Sequence, residues 1–286
     1  WPSTEAELEA ESARFARWCK FPGVVGAVDG LIVPVKLVSE ELRMVMYNPR
    51  KDAYGFNMQA VADSAGVFTF VSVSHYASVH DGRAFKECTL WHELENGLLT
   101  LNGNRAKGEY FLLGDNAYSL RSFCLHPWKG KPTSGTRADS FNFHLSAARC
   151  AVERAFGQLV LAFPILKHGI DMRDTSIAVE VVHCCVLLHN LRKHWNEVLA
   201  VFPFPGTGNN TNTPTAAALT SEEGARQYAA SMADDQIGER LAADRSTESV
   251  NDAVVGKEIR QRIAYWLNDN GHCRPGATID FRTPCP

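Results

Sequence analysis

Two β-rich segments near the start of the chain restrict its fold more than any other feature of the sequence. The run VVGAVDGLIVPVK, residues 24–36, is apolar and rich in β-branched side chains. The stretch YGFNMQAVADSAGVFTFVSVSH, residues 54–75, contains two further apolar runs, separated by the turn residues 63–66. Runs of this kind, bounded by Asp, Ser and Gly, are typical of strands joined by tight turns. The sequence therefore predicts three consecutive strands at the start of a folded domain.

Helical and strand patterns alternate after this trio. Residues 80–99 have helical periodicity, with Asp81 as the expected N-cap, and residues 109–119 predict a short buried strand. Two helices are predicted next, one over ARCAVERAFGQL, residues 148–159, and one over residues 176–195, which is mostly apolar and so expected to pack on two sides. The order β-β-β-α-β-α-α predicts an α/β fold, with a mixed central sheet flanked by helices.

Changes of composition divide the chain into four parts. Residues 1–20 are predicted to be a helical lead-in, and residues 21–200 form the α/β domain. Residues 201–250 are rich in Pro, Gly, Asn and Thr and read as a linker or insertion, because they lack the large apolar side chains needed to order themselves. Residues 251–286 form a C-terminal helix and tail, and the apolar periodicity of this helix predicts that it docks on the domain.

Composition excludes several classes of protein. We find no apolar run long enough to cross a membrane, and the acidic amphipathic N-terminus does not resemble a signal peptide, so we expect a soluble, non-secreted protein. The eight cysteines form no CxxC pair and are expected to be reduced core residues. The formal net charge is −3, yet residues 101–195 carry 12 Lys and Arg against 7 Asp and Glu. This middle part is either a phosphate-binding face or an ordinary solvated surface.

Three carboxylates stand beside predicted core elements. Asp29 follows the run VVGAV, Asp115 follows YFLLG, and Glu153 borders the apolar stripe of its helix. We expect each aspartate at the C-terminal end of its strand. If these two strands are neighbours, the two acids meet at one edge of the sheet. With a glutamate delivered by a helix, they would form an all-oxygen site for Mg²⁺ or Mn²⁺, suited to two-metal phosphoryl transfer.

A local explanation for each acid remains open at this point. Asp29 can be satisfied by the turn at Gly30, and Asp115 by an Asx turn with Asn116. Glu153 can pair with Arg149 or Arg154 on its own helix, and of these two arginines we favour ion pairing for Arg154.

Six short motifs, in order, resemble the nuclease domain of PIF/Harbinger-type DDE transposases over residues 21–191. They read GAVDG, YNPRKDAYGFNMQAVAD, SVHDGRAF, LLGDNAY, CAVERAFGQLVLAFPIL and LLHN. The resemblance implies an RNase H-like fold in which the strands that carry Asp29 and Asp115 are adjacent. This chain adds a C-terminal helical extension to that fold. The resemblance also implies that Asp29, Asp115 and Glu153 are the catalytic residues and the ligands of two Mg²⁺ or Mn²⁺ ions. Asp81 matches a further recurrent acid, which is either a fourth metal ligand or a structural cap.

Five basic residues are weaker candidates for contact with DNA. Arg50 and Lys51 lie in the second motif, and Arg149 and Arg154 flank Glu153. These four side chains either contact phosphates or hold the acids in place when metal is absent. His144, just before the predicted helix over residues 148–159, either touches phosphate or caps that helix.

The resemblance implies a nuclear enzyme that cuts transposon ends and joins them to target DNA. Because no helix-turn-helix precedes the nuclease motifs in this sequence, recognition of the DNA ends is expected from a further N-terminal region or a separate Myb-like partner protein. A homodimer is expected if two ends are handled together, and no membrane is involved. The alternatives are a domesticated scaffold that binds DNA or a partner without cleavage, and a host nuclease that acts on RNA or mixed duplexes.

Overall fold

The computed structural model describes residues 1–2, 4–36, 38–100, 108–171, 174–201 and 246–275, with the side chains of residues 196–201 and 246–251 left out of the description. The predicted linker, residues 201–250, lies almost wholly outside this part of the chain. In chain order the helices and strands are α1 (Glu5–Cys19), β1 (Val24–Pro34), α2 (Arg43–Met46), β2 (Tyr47–Asn48), β3 (Ala53–Ala62), β4 (Phe68–Tyr76), α3 (Asp81–Lys86), α4 (Thr89–Glu95), β5 (Phe111–Leu113), β6 (Cys124–Leu125), α5 (Arg137–Ala162), α6 (Ile165–His168), α7 (Thr175–Val201) and α8 (Ser246–Asp269).

The strands form one mixed sheet. β1, β3 and β4 are antiparallel neighbours, with β3 in the middle, and the short β2 pairs with the start of β3. On the other side of β1, β5 is parallel to β1 and β6 is parallel to β5. The predicted strand trio and the predicted mixed sheet are confirmed.

The turn between β3 and β4 shows why the trio forms a meander. The amide of Gly66 donates to the carbonyl of Asp63, and the Asp63 carboxylate accepts from the amide of Val67 at 2.8 Å. Gly66 has a φ of 80°, a left-handed conformation that glycine adopts without a steric penalty. Residues 63–66 thus form the tight turn that the sequence predicts.

Helices cover both faces of the sheet. On one face, the long helix α5 packs against β1, β3, α7 and α8 through buried residues such as Val152, Phe156 and Leu145. On the other face, Phe85 of α3 and Trp91 of α4 pack in a cluster with Val25, Val28 and Val61. None of the helices in the described ranges is long and apolar enough to cross a membrane.

The C-terminal helix α8 packs on the domain, as its periodicity predicts. Its residues Ile259, Ile263 and Leu267 are buried in the cluster that includes α5. The Asp252 carboxylate accepts hydrogen bonds from the Ser122 hydroxyl, at 2.6 Å, and from the Ser122 amide. This contact fixes α8 beside β6, a two-residue strand that has no recognisable signal in the sequence.

Candidate active site

Asp29 and Asp115 lie side by side because β1 and β5 are parallel neighbours. The register pairs Ala27 with Leu113, and each aspartate follows two residues after its member of that pair. Asp115 stands just beyond the end of β5, whereas Asp29 lies in the middle of β1, where it pairs with Ala60 of β3. The expectation that Asp29 ends its strand is therefore wrong, since β1 continues to Pro34 as a partner of β3.

Glu153 reaches this edge of the sheet through Arg149. The two residues lie one turn apart on α5, which brings the Glu153 Oε1 atom within 3.4 Å of Arg149 Nη2. The same Nη2 atom donates to Asp29 Oδ2 at 3.1 Å. The Asp29 and Arg149 side chains are only 22% and 15% exposed, whereas Glu153 is 52% exposed. One guanidinium therefore links the strand aspartate to the helix glutamate.

Asp81 approaches β1 from the opposite face of the sheet. Its Oδ1 atom accepts from Asn57 Nδ2 at 2.8 Å and from Gln59 Nε2 at 3.3 Å. Gln59 pairs with Gly30, the residue after Asp29. Because neighbouring residues of a strand face opposite sides of the sheet, Asp81 lies on the side opposite to the Asp29 side chain. The predicted N-cap role of Asp81 is wrong, because the N-cap of α3 is His80, whose ring accepts from the Gly82 amide.

A buried polar network holds Asp81 in this position. Asn57 and Gln59 are both 1% exposed, and Gln59 Nε2 also donates to Asn57 Oδ1 at 2.7 Å. The hydroxyl of Tyr118, itself buried, donates to Gln59 Oε1 at 2.9 Å. Buried polar groups must be hydrogen-bonded to be tolerated, so these residues act as a unit. The sequence motifs do not single out these residues as part of the site, although polar Asn57 and Gln59 alternate with apolar residues within a predicted strand.

Two glycines permit the close approach of these elements. A Cβ on Gly30 would overlap the Asp81 carboxylate and lie 2.7 Å from Gln59 Nε2. A Cβ on Gly82 would overlap the carbonyl oxygen of Ala117, in the turn after Asp115. The glycines of the motifs GAVDG and HDGR thus let α3 and the turn after β5 converge on β1.

Several carboxylates lie close together at this site, and two of them, Asp29 and Glu153, share the Arg149 guanidinium. Burial raises the pKa of Asp29, and the charges of Asp115 and Asp81 raise it further. The positive charge of Arg149 and the hydrogen bond from the Gly30 amide oppose that shift. Burial and the same three aspartates raise the pKa of Tyr118 well above its usual range, so its hydroxyl stays protonated. The negative charges of three acids therefore act on one small region.

Each of the triad acids also has a local partner, although the partner of Glu153 is Arg149 and not the favoured Arg154. Asp29 Oδ1 accepts from the Gly30 amide at 2.9 Å, and Asp115 Oδ1 accepts from the Ala117 amide at 2.8 Å. In the described part of the chain, no three His, Cys, Asp or Glu side chains converge closely enough to hold a metal ion. At this site the Arg149 guanidinium contacts both Asp29 and Glu153.

The other candidate basic residues do not join the acids. The turn between β2 and β3 exposes Arg50 and Lys51, and their backbone amides donate to Asn48 Oδ1. This turn lies beyond the Pro34 end of β1, and Pro34 itself is already about 17 Å along the strand from Asp29 at about 3.3 Å per residue.

His144 and Arg154 have structural contacts instead of the expected ones. His144 is buried, with Nδ1 2.8 Å from the Cys19 carbonyl oxygen and Nε2 3.0 Å from that of His272, so a DNA contact does not fit this geometry. The Arg154 guanidinium lies over the Trp18 ring, 5.0 Å from its centroid. The expected ion pair with Glu153 is made by Arg149, because residues four apart share a helix face.

This arrangement, a mixed sheet with two aspartates on neighbouring parallel strands and a glutamate on a covering helix, defines a DDE-type nuclease domain. Residues 28–190 match the protein family described as DDE superfamily endonuclease, and the chain belongs to this family. No solved structure matches the chain.

Named relatives place the chain among proteins derived from Harbinger transposases. It is 26% identical over 197 residues to "Protein ALP1-like" of Arabidopsis thaliana, covering 67% of this chain and 47% of that protein. It is 27% identical over 194 residues to "Putative nuclease HARBI1" of Bos taurus and 26% identical to the protein of that name from Homo sapiens, each match covering 67% of this chain and 52% of the relative. The chain thus spans about half the length of these relatives. The predicted resemblance to Harbinger-type proteins is confirmed.

Proposed function

We propose that this chain is a divalent-metal-dependent endonuclease and strand transferase that cuts transposon ends and joins them to target DNA. The main support for the proposal is the position of the two aspartates on the parallel strands β1 and β5. Asp29 and Asp115 each lie two residues beyond the pair formed by Ala27 and Leu113. Glu153, joined to Asp29 through Arg149, would be the third catalytic carboxylate. Membership of the DDE endonuclease family supports the same assignment.

The sheet supports an RNase H-like architecture within this proposal. Three antiparallel strands, β1, β3 and β4, precede the parallel strands β5 and β6, with β1 at the junction. A sheet changes its strand direction at such a junction, and ligands of α/β proteins commonly bind at the carboxyl ends of strands there. The two aspartates stand beside that junction.

The donor chemistry of the site fits Mg²⁺ or Mn²⁺, which prefer carboxylate oxygens. Burial and, to a smaller extent, the charges of Asp115 and Asp81 raise the pKa of Asp29, and a bound cation would relieve that repulsion. Asp29, Asp115 and Glu153 would hold the ions, whereas Asp81 already accepts two hydrogen bonds on the opposite face. When bound, a pair of such ions activates the attacking oxygen and stabilises the leaving oxygen of a phosphodiester.

The chain's own residues would prepare this site before any ion binds. Arg149 neutralises two of the acids and is itself mostly buried, which keeps the Asp29 carboxylate oriented. Tyr118, Gln59 and Asn57 fix the start of α3 and the turn after β5 against β3, the neighbour of β1. Such a rigid surround is what precise placement of reacting groups requires.

The remaining parts of the proposal concern partners and place of action. DNA is the proposed substrate, and a Myb-like protein would supply recognition of its ends in the nucleus. A non-cleaving scaffold is the second candidate, and one observation favours it: Arg149 already satisfies Asp29 and Glu153 without a metal ion.

A nicking assay with a supercoiled plasmid and Mg²⁺ or Mn²⁺ tests the proposal. Asp115→Asn and Glu153→Gln should each lower the nicking rate at least ~100-fold, because each removes a charged metal ligand. Glu41→Gln, an exposed residue before α2, is the matched control and should leave the rate unchanged. Nicking that survives in the Asp115→Asn, Glu153→Gln double variant would refute the assignment. Calorimetry that detects no Mn²⁺ binding to the wild-type chain would favour the scaffold.

A further inference from the structure

One face of α7 is apolar and exposed. Ile177, Leu188 and Leu191 are 43%, 51% and 42% exposed, and Cys184 lies exposed between them. The opposite face of the helix is buried against β4 and α5, with Val182 fully buried. Sequence analysis expects this helix to pack on two sides, and the described part of the chain covers one.

The exposed face has the spacing of a helix-pairing seam. The seam residues follow one another at alternating steps of four and three, and they are Ile177, Val181, Cys184, Leu188, Leu191 and Trp195. Val181 and Trp195 are only partly exposed, and Val181 also packs against the core. This repeat keeps side chains on one line of a helix and is the pattern of two-stranded coiled coils. Single exposed apolar residues are common, but a continuous line about 27 Å long marks a contact surface.

Charge on the exposed surface of α7 is divided between its two ends. Asp174 and Glu180 are exposed near the N-terminal end, whereas Arg192 and His194 are exposed toward the C-terminal end. A second α7 lying parallel would place like charges beside each other. An antiparallel second α7 would place the acidic end of each helix beside the basic end of the other, and it would also oppose the two helix dipoles.

We propose that a second copy of this chain docks on this seam, with the two α7 helices antiparallel about a two-fold axis near residue 186. The pairs across the axis are then Ile177 with the partner's Trp195, Val181 with the partner's Leu191, and Cys184 with the partner's Leu188. On the flank of the seam, Glu180 lies beside the partner's His194.

The two-fold symmetry makes the surface complementary to itself. In an isologous contact, each residue pair occurs twice, so every apolar seam residue meets another apolar residue. No other register matches the seam as completely, because a shift by one heptad leaves residues of both ends without an opposite member. The inference depends on the surface of α7 alone and stands whether or not the chain cleaves DNA.

Sedimentation equilibrium of the full chain, over concentrations from about 1 to 100 μM, tests the seam. The wild-type chain should dimerise, and Leu188→Glu should raise the dissociation constant by about 100-fold or more, because it places a carboxylate twice in the apolar contact. Leu161→Glu is the matched control, since Leu161 is 81% exposed near the end of α5, and it should dimerise like the wild type. Circular dichroism checks that both variants remain folded.

A charge reversal tests the antiparallel register. His194→Glu places a second carboxylate beside Glu180 and should weaken the dimer several-fold, whereas the Glu180→Lys, His194→Glu double variant should restore its affinity. A wild-type chain that stays monomeric, which would mean that another segment or another protein covers the seam, overturns the proposal. Equal dimerisation of Leu188→Glu and Leu161→Glu overturns it too, and a double variant no tighter than His194→Glu overturns the register.

Discussion

Replacing Arg149 with methionine should destabilise the folded chain through the carboxylates that this arginine joins. The variant keeps most of the aliphatic volume but removes the donor to Asp29 at 3.1 Å and the charge 3.4 Å from Glu153. Exposed ion pairs contribute less than about 1 kcal/mol, and breaking a buried pair costs about 3–5 kcal/mol. With Asp29 22% exposed and Arg149 15% exposed, we expect a loss of about 2 kcal/mol in the free energy of unfolding.

Thermal and urea denaturation at pH 7, without divalent ions, measures this loss. A change of about 2 kcal/mol corresponds to a decrease of about 4–8 °C in the unfolding midpoint for a domain of this size. Arg154→Met is the matched control, because its guanidinium contacts the Trp18 ring and the Cys150 carbonyl rather than an acid, and it should cost a small fraction of that amount. Equal effects of the two substitutions would show that the charge of Arg149 does not stabilise the fold through Asp29 and Glu153.

Millimolar Mn²⁺ should raise the unfolding midpoint of Arg149→Met more than that of the wild type, because the ion replaces the missing positive charge and no longer competes with it. Equal increments in the two proteins would show that Arg149 and the ion act at separate places. The shared guanidinium would then have no part in preparing a metal site.

Three further substitutions test a close contact of the fold and a buried charge. Gly82→Ala should lower the free energy of unfolding by about 2 kcal/mol, because the new Cβ overlaps the Ala117 carbonyl. Gly157→Ala should raise the free energy of unfolding by about 0.5–1 kcal/mol, because Gly157 has open space around it in α5. Thermal denaturation compares the two variants, and a Gly82→Ala variant as stable as the wild type would contradict the packing. Burial raises the pKa of Asp63 to about 6, so the folded state keeps a proton that the unfolded state loses above about pH 4, and stability falls as the pH rises through this window. Asp63→Asn keeps the acceptor for the Val67 amide and removes the charge. Urea denaturation should therefore show the variant to be more stable than the wild type at pH 7.5, by about 2 kcal/mol, and equally stable near pH 4. Parallel pH profiles of the two proteins would contradict the burial of the charge.

The strands and the position of the acids follow from patterns that the sequence displays directly. Apolar runs and turn residues predict β1, β3 and β4, and the motif around Asp115 predicts a buried strand that ends before it. The parallel pairing of β1 with β5 is a contact between segments far apart in the chain. Local periodicity carries no information on it, and only the family resemblance implied it.

The errors of the sequence analysis have local physical causes. Arg149 and Arg154 both flank Glu153, but only residues three or four apart on a helix face each other, so Arg149 forms the ion pair. His144 is polar yet buried, because carbonyl groups at the ends of α1 and α8 meet there, and no periodicity reveals such a junction. The strand β6 consists of two residues, too few for any alternation to appear.

A crystal structure of the chain soaked with Mn²⁺, read by anomalous scattering, tests the proposed metal centre most directly. We expect one or two ions bound by Asp29 and Asp115 with Glu153 as the further ligand, and an Arg149 side chain that no longer joins Asp29 to Glu153. A map without an ion at these carboxylates at millimolar Mn²⁺, with Arg149 still in contact with both acids, would contradict the claim that they form a metal-dependent nuclease centre.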